Sequence, residues 1–284
     1  MLIILALGAA LLYGSADFLG GAATRRAALL GVLLTSGLAA VAVQLPAALL
    51  AGGPPHAVGI EWGLAGGAIG GIGLMFFYAG LAAGPMSVVS PVAALVSTVL
   101  PVGVALAQGE RPGPAVYVGA LICLAATVLV SSGAGARDDS PRSWTDRGRG
   151  VALGVASGAA FGLFFLFMRN AGETGALWPA LASRSAGLAI YLAIALMAKA
   201  APVSWRAGWP LFAAVLCAGA FDAAANICYV LATRAGLFGP AVVLTSLYPA
   251  VTVLLARVAL REHMQRAQQA GLVLAAVGIA LIAA

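Results

Sequence analysis

The chain has 284 residues, of which 62% are hydrophobic and only 8% are charged. A soluble domain carries about 25% charged residues, so this chain cannot cover a water-facing surface and is expected to lie in a lipid bilayer. The net charge of +6 would suggest nucleic acid as a partner of a soluble protein, but here the basic residues lie in short loops, where they orient membrane helices. We therefore expect no nucleic-acid partner.

Ten apolar segments are each long enough to cross a bilayer as a helix, which takes about 20 residues. They predict an all-α membrane protein with ten transmembrane helices, at roughly 2–22, 27–50, 60–82, 85–107, 113–133, 150–170, 177–199, 208–233, 237–259 and 267–284. The first segment begins at Leu2 without a basic region before it. It is also too long for a secretory signal, so it is predicted to be the first span.

One long hydrophilic stretch, residues 135–149, divides the predicted helices into two sets of five. The sequence therefore predicts a first five-helix repeat over 1–134, a polar linker over 135–149 and a second repeat over 150–284. Because each repeat has an odd number of helices, the second enters the membrane from the opposite side, and the two are inverted.

The two halves also resemble each other directly. Residues 77–110 align without a gap with residues 229–262 at an offset of 152 positions. The early helices repeat more faintly, at an offset of 148, which places Tyr13 on Phe161. Paired halves of this kind are a common plan of membrane transporters.

The basic residues are divided unevenly between the two sides of the predicted bundle. The loops after the odd-numbered helices hold eleven Lys and Arg residues, and the loops after the even-numbered helices hold three. The positive-inside rule places the first set in the cytoplasm. We therefore expect a multi-pass protein of a bacterial-type cytoplasmic membrane with both termini outside.

Besides Pro46 in the second predicted helix, three prolines lie inside helices at matching positions of the two halves: Pro91 and Pro101 in the fourth, and Pro249 in the ninth. Each removes a backbone hydrogen bond and favours a kink. Kinked helices at matching positions of two halves point to a central cavity, so we predict these prolines as hinges. The alternative is that they are ordinary membrane prolines.

Three charged residues, Asp17, Arg184 and Asp222, lie deep in predicted helices, where a charge costs roughly 2.5–3.5 kcal/mol at the helix centre. A rise of about 1.5 Å per residue places Arg184 and Asp222 at similar depth on consecutive antiparallel helices, with Asp17 more than about 10 Å away, nearer the cytoplasm. We predict that Arg184 and Asp222 face the interior, either as a neutralising pair or flanking one cavity. In the second case Arg184 would receive a substrate carboxylate.

Helical spacing adds polar neighbours to these charges. Asn226 is four residues after Asp222, and Tyr229 is three further on. Tyr13 is four residues before Asp17. The predicted substrate-binding residues are Tyr13, Asp17, Tyr78, Arg184, Asp222, Asn226, Tyr229 and Tyr248. In the alternative interpretation these faces pack between helices with their hydrogen bonds satisfied.

Several motifs resemble a known family. YGSADF in helix 1, SLYPAVTVLLARVALRE in helix 9 and the closing GLVLAAVGIALI, with Gly-Pro turns into helices 4 and 9, are similar to EamA-type members of the drug/metabolite transporter superfamily. The resemblance covers nearly the whole chain. It implies a ten-helix carrier that exports amino acids or other small metabolites, as aromatic amino acid exporters do. The family's glutamates after helices 4 and 9 correspond to Glu110 and Glu262, which we interpret as helix caps or interfacial partners.

These features predict a secondary transporter that moves a small-molecule substrate by alternating access. The chain has no GxxxxGK[ST] phosphate loop and so encodes no ATP motor. The other candidates are an exporter of drugs or other organic solutes, a channel or receptor, and an intramembrane enzyme using two aspartates. The estimated depths of Asp17 and Asp222 argue against the enzyme. We expect no cofactor and no metal site; the sequence leaves open whether protons take part and which oligomeric state the protein adopts.

Overall fold

The computed structural model describes residues 1–51, 53–83, 86–132, 144–171, 177–260 and 266–283, which form α-helices joined by short connections. The helices are α1 (Leu2–Thr24), α2 (Leu29–Ala51), α3 (Ala57–Ala83), α4 (Met86–Ala107), α5 (Pro114–Ser132), α6 (Trp144–Asn170), α7 (Trp178–Ala198), α8 (Trp209–Arg234), α9 (Phe238–Thr245), α10 (Tyr248–Leu260) and α11 (Arg266–Ala283). Residues 133–143, most of the predicted linker, lie outside the described residues, and residues 144–149 form the first turns of α6.

Six of these helices are long and apolar enough to cross a membrane: α1, α2, α3, α7, α8 and the Gly148–Asn170 part of α6. Shorter apolar helical stretches lie in α4, α5, α11 and across α9 and α10. Large apolar side chains such as Leu50 and Met197, each 87% exposed, point outward from the bundle. Lipid solvates such side chains, so the described residues agree with the predicted all-α membrane protein.

The predicted ninth helix, 237–259, is two helices in the structure. α9 ends at Thr245 and α10 begins at Tyr248. Pro249 has no N–H to donate to the carbonyl of Thr245, and its ring disfavours the helical conformation of the residue before it. The prediction of one continuous helix is therefore wrong here. Pro91 and Pro101, by contrast, lie inside α4, which runs unbroken.

The helices of the two halves pack mainly against each other rather than within their own half. α3 lies against α6 and α7, and α8 lies against α1 and α2. α4 packs on α6, α1 packs on α9 and α10, and α5 packs on α11. Any space enclosed by α1, α3, α6 and α8 therefore lies between the two halves.

Glycines bring several of these helices into backbone contact. Glycines spaced by four on α3 meet residues spaced by four on α7, in the pairs Gly63 with Pro179, Gly67 with Ser183 and Gly71 with Gly187. A Cβ atom on Gly67 would overlap the Ser183 carbonyl. A Cβ atom on Gly219 of α8 would overlap the Ser36 carbonyl of α2 in the same way. Close approach of this kind is a main source of helix association in lipid.

Two hydrogen bonds run across the same helix pairs. The Tyr191 hydroxyl of α7 donates to the Gly71 carbonyl of α3 over 3.0 Å. Gln44 Nε2 of α2 donates to the Ala223 carbonyl of α8 over 3.2 Å. In each case a long polar side chain reaches the backbone of the helix that a close glycine contact brings near, which satisfies a donor that lipid could not satisfy.

Glu110 connects the segment after α4 to the start of α9. Its Oε1 accepts a hydrogen bond of 2.9 Å from the Gly239 N–H, in the first turn of α9. The first four N–H groups of a helix have no partner within it, and a carboxylate there also meets the positive end of the helix dipole. The interpretation of Glu110 as a helix cap is confirmed, whereas Glu262 lies outside the described residues.

Candidate functional site

The two deepest charges of the second half form an ion pair. Arg184 on α7 and Asp222 on α8 approach to 2.8 Å between Nη1 and Oδ2, and their side chains are 19% and 20% exposed. The prediction that they face the interior at matching depth is confirmed. The pairing offsets the cost that either charge would carry alone in an apolar environment.

A cavity of about 540 Å³ lies beside this ion pair. We call it the central cavity, because its wall includes α1, α3 and α4 of the first half and α6, α7, α8 and α10 of the second. Its polar lining residues are Asp17, Ser97, Arg184 and Asp222.

Aromatic rings form much of the wall of the central cavity. They belong to Tyr13, Phe161, Phe164, Phe165 and Tyr248. The Tyr13 and Tyr248 rings meet edge to face with centroids 6.4 Å apart, and the Arg184 guanidinium lies 5.9 Å from the Phe164 centroid. Such a wall offers apolar contact to a ligand body and ring faces to a cationic group.

A second cavity of about 470 Å³ also borders the ion pair. It lies among α2, α3, α7 and α8, and its polar lining outside the pair comes from Ser36, Tyr78, Ser183 and Tyr191. Tyr78 therefore belongs to this cavity rather than to the central one. Its hydroxyl packs where a Cβ on Gly20 of α1 would be, so the missing side chain of Gly20 makes room for it.

Asp17 lines the central cavity together with Asp222. Its side chain is only 8% exposed. The sequence estimate that separates the two aspartates by more than about 10 Å in depth is wrong. α1 and α8 pack antiparallel, with Gly8 beside Cys228 and Leu2 beside Gly236, and this pairing brings Asp17 close to the level of Asp222. Among the described residues, the Arg184–Asp222 contact is an ion pair and Asp17 has no comparable cationic partner.

Asn226 and Tyr229 do not line either of these cavities. Both are fully buried. The Tyr229 ring packs 4.7 Å from that of Phe165, and its hydroxyl donates to the Phe165 carbonyl over 3.4 Å. Helical spacing placed both residues on the face of Asp222, but one and two turns further along α8 that face is covered by packing against other helices. For Tyr229 the packing alternative, with its hydrogen bond made, describes the structure. Asn226 is packed as well, but its amide nitrogen and oxygen have no hydrogen-bond partner among the described residues, so that alternative is met only in part.

Ser97, Phe164, Phe165, Gly70 and Leu74 line the central cavity without having been predicted. The internal repeat could have found two of them. Position 70 is 152 residues before Asp222, and position 165 is 148 residues after Asp17. Gly70 is thus equivalent to Asp222, and Phe165 is equivalent to Asp17. If the two halves surround one cavity, these equivalent positions are expected to line it as well.

Residues 148–284 match the model of the EamA-like transporter family. One solved crystal structure of another protein superposes with a TM-score of 0.75, over 99% of this chain and 94% of that chain, at 22% sequence identity. At that identity the likeness concerns the fold alone. A search of curated protein sequences gave no match.

Proposed function

We propose that the chain is a member of the EamA-like transporter family, whose model its residues 148–284 match. As such it would be a secondary transporter that exports small metabolites, amino acids with aromatic side chains among them. The observation that carries the proposal is the central cavity, which combines an aromatic wall with side chains of both charge signs. A ligand with an apolar body and charged ends matches that lining. Because the family is one of transporters, we propose no catalytic role for the aspartates.

A ten-span architecture of two inverted repeats is part of the proposal. It is supported by contacts that recur at fixed offsets. Gly67 meets Ser183 as Gly219 meets Ser36, with the glycines 152 positions apart and the serines 147 apart. An exchange of the two halves by a two-fold axis in the membrane plane would convert one contact into the other.

The cross-helix hydrogen bonds obey the same offsets. Tyr191 bonds to the carbonyl of Gly71 as Gln44 bonds to that of Ala223. Tyr191 is 147 positions after Gln44, and Ala223 is 152 positions after Gly71. The close glycine contacts and the hydrogen bonds therefore support the same equivalence of helices in the two halves, in which α2 corresponds to α7 and α3 corresponds to α8.

In the proposed mechanism the central cavity opens alternately to the two sides of the membrane. The interruption between α9 and α10, next to Pro249, and the prolines Pro91 and Pro101 of α4 are the proposed hinges. α4 and α10 both contribute to the cavity wall, through Ser97 and Tyr248. Bending at these points would therefore change the access to the bound ligand directly.

Arg184 supplies the proposed contact for a substrate carboxylate. Its Nη1 is engaged by Asp222, but its Nε is buried without a hydrogen-bond partner among the described residues. A guanidinium has five N–H donors, so it can hold Asp222 and a second carboxylate at the same time.

The proposal is tested by counterflow in proteoliposomes loaded with unlabelled phenylalanine. A carrier with alternating access concentrates external labelled phenylalanine transiently, because labelled molecules enter in exchange for unlabelled ones. Liposomes without protein provide the background. Entry that only equilibrates would indicate a channel, and no entry would reject aromatic amino acids as substrates. Repeating the assay with an imposed pH gradient shows whether protons drive transport.

A further inference from the structure

The charges on the wall of the central cavity do not balance. Two carboxylates, Asp17 and Asp222, and one guanidinium, that of Arg184, line it. Arg184 is committed to Asp222 at 2.8 Å. The carboxyl group of Asp17, only 8% exposed, is thus without a cationic partner among the described residues, and a negative charge on it requires a cation beside it. An unpaired charge inside the membrane is costly, so this position favours a ligand that brings a positive charge.

The groups around Asp17 are suited to receive an N–H donor. Tyr13 is on the same face of α1, one turn away, and its hydroxyl is buried without a hydrogen-bond partner in the described part of the chain. The Tyr248 hydroxyl of α10 lies near Ser97 but makes no hydrogen bond of standard geometry with a described residue. Tyr78 of α3 and Asp222 of α8 are the other titratable groups that act on Asp17 from neighbouring helices. None of these groups is a cation.

We propose that Asp17, together with the hydroxyls of Tyr13 and Tyr248, binds the cationic amino group of the substrate. The inference rests on the proposed transport function and assigns the recognition within it. The Arg184–Asp222 pair remains intact, and Asp222 is not the amino-group receptor. An ammonium group has three donors, which matches one carboxylate and two hydroxyl oxygens.

The charge balance also ranks substrates by class. An aromatic amine carries one positive charge and neutralises the cavity, whereas the carboxylate of an amino acid restores the excess negative charge. The rings of Phe161, Phe164 and Phe165 then hold the apolar body and attract the cation. The amino group is therefore the required feature of a substrate and the carboxylate is dispensable.

Three compounds that share one ring and side-chain length separate these features: phenylalanine, phenylethylamine, which lacks the carboxylate, and phenylpropionate, which lacks the amino group. Uptake of each by proteoliposomes with the full chain is the measurement. We expect phenylethylamine to be transported at least as fast as phenylalanine, and phenylpropionate at least about tenfold more slowly. Transport of phenylpropionate at the rate of the other two would overturn the inference.

Asp17→Asn removes the charge with little change in shape. We expect it to reduce transport of both amino compounds at least about tenfold, whereas Asp17→Glu retains a measurable part of it. Glu61→Gln is the matched control, because Glu61 is an exposed carboxylate at the start of α3 and its replacement should leave all rates unchanged. Melting temperatures of the purified variants identify any that fail to fold, and Asp17→Glu then carries the test.

The outcomes separate the inference from the function on which it rests. If the wild type transports none of the three compounds, the proposed substrate class fails. If it transports the amino compounds and Asp17→Asn still does so at the wild-type rate, only the inference fails. Loss of pH-gradient drive in Asp17→Asn with retained exchange of phenylethylamine would also overturn it, because Asp17 would then carry a proton instead of the amino group.

Discussion

Arg184 Nη1 and Asp222 Oδ2 lie 2.8 Å apart, and this contact joins α7 to α8 at the edge of two cavities. Both residues come from the second half of the chain. The equivalent positions in the first half, 147 before Arg184 and 152 before Asp222, are Gly37 and Gly70. The first half therefore has no charged residues at the positions equivalent to this pair, and its two glycines leave space there instead.

Removing one member of this pair should destabilise the protein more than removing both. Asp222→Asn leaves the Arg184 charge without its partner in a site only one-fifth exposed, which we expect to cost up to about 3 kcal/mol. The double variant Arg184→Gln with Asp222→Asn should recover most of this loss. Thermal unfolding in detergent measures both, with exposed Glu61→Gln as the control. A double variant no more stable than Asp222→Asn alone would contradict the pairing.

Adding one methyl group at the closest helix contacts should loosen the bundle. Gly67→Ala and Gly219→Ala each place a Cβ against a serine carbonyl of the facing helix, and we expect each to cost about 1–3 kcal/mol. Gly103→Ala on α4 is the control, because nothing lies within 4 Å of its added Cβ. Its melting temperature should stay the same or rise, since alanine favours a helix over glycine. An equal loss in all three variants would show that the contacts are not the cause.

The Glu110 cap should contribute to the stability of α9. Glu110→Ala removes the acceptor of the Gly239 N–H, with an expected loss of about 0.5–2 kcal/mol. Glu110→Gln keeps an acceptor oxygen but loses the charge, so its loss should be smaller. Gln108→Ala, an exposed neighbour, is the control. Equal melting temperatures for the alanine variant and the wild type would show that the cap contributes nothing to stability.

If the interruption before Pro249 is a hinge, closing it should slow transport without unfolding the protein. Pro249→Ala supplies an N–H that can bond to the carbonyl of Thr245 and extend α9 into α10. We expect several-fold slower counterflow at an unchanged or higher melting temperature. Pro210→Ala makes the same chemical change in the first turn of α8, where the missing N–H costs little, and should leave transport intact. Wild-type rates for Pro249→Ala would reject the hinge.

The uneven distribution of basic residues predicts that both termini face outward. A green fluorescent reporter fused after Ala284, which folds only in the cytoplasm, should therefore stay dark. A phosphatase reporter that is active only outside the cytoplasm should be active at the same position. The reverse pattern would show the opposite orientation.

The ion pair was predictable because its physics is local and severe. A charge inside a membrane needs a partner, and Arg184 and Asp222 are charges of opposite sign on consecutive antiparallel helices. The burial of Asn226 and Tyr229 away from the cavities was not predictable. Helical spacing gives the face of the helix on which a side chain lies, but not which neighbouring helices pack against that face. Only the packing of α8 on its neighbours decides that.

The aromatic wall was only partly predictable for a related reason. In a soluble protein the surface is more polar than the interior, so a phenylalanine in the sequence indicates a buried position. In a membrane the lipid-facing surface is as apolar as the interior, and a phenylalanine fits either. Phe164 and Phe165 therefore look like any other residues of α6 in the sequence. Pro249 predicted an irregularity in the ninth helix. The sequence did not show whether this proline would bend the helix or divide it into two.

The glycines of α3 and α8 affect how the sequence can vary. Every other amino acid has a Cβ atom, so at Gly67 and Gly219 any single replacement brings an atom into a space that a facing carbonyl already occupies. The charged residues of the central cavity, by contrast, border open space that can accept side chains of other sizes. In a survey of all single substitutions, we expect folding to be least tolerant at these positions without a side chain, while changes at the cavity alter which solutes are carried.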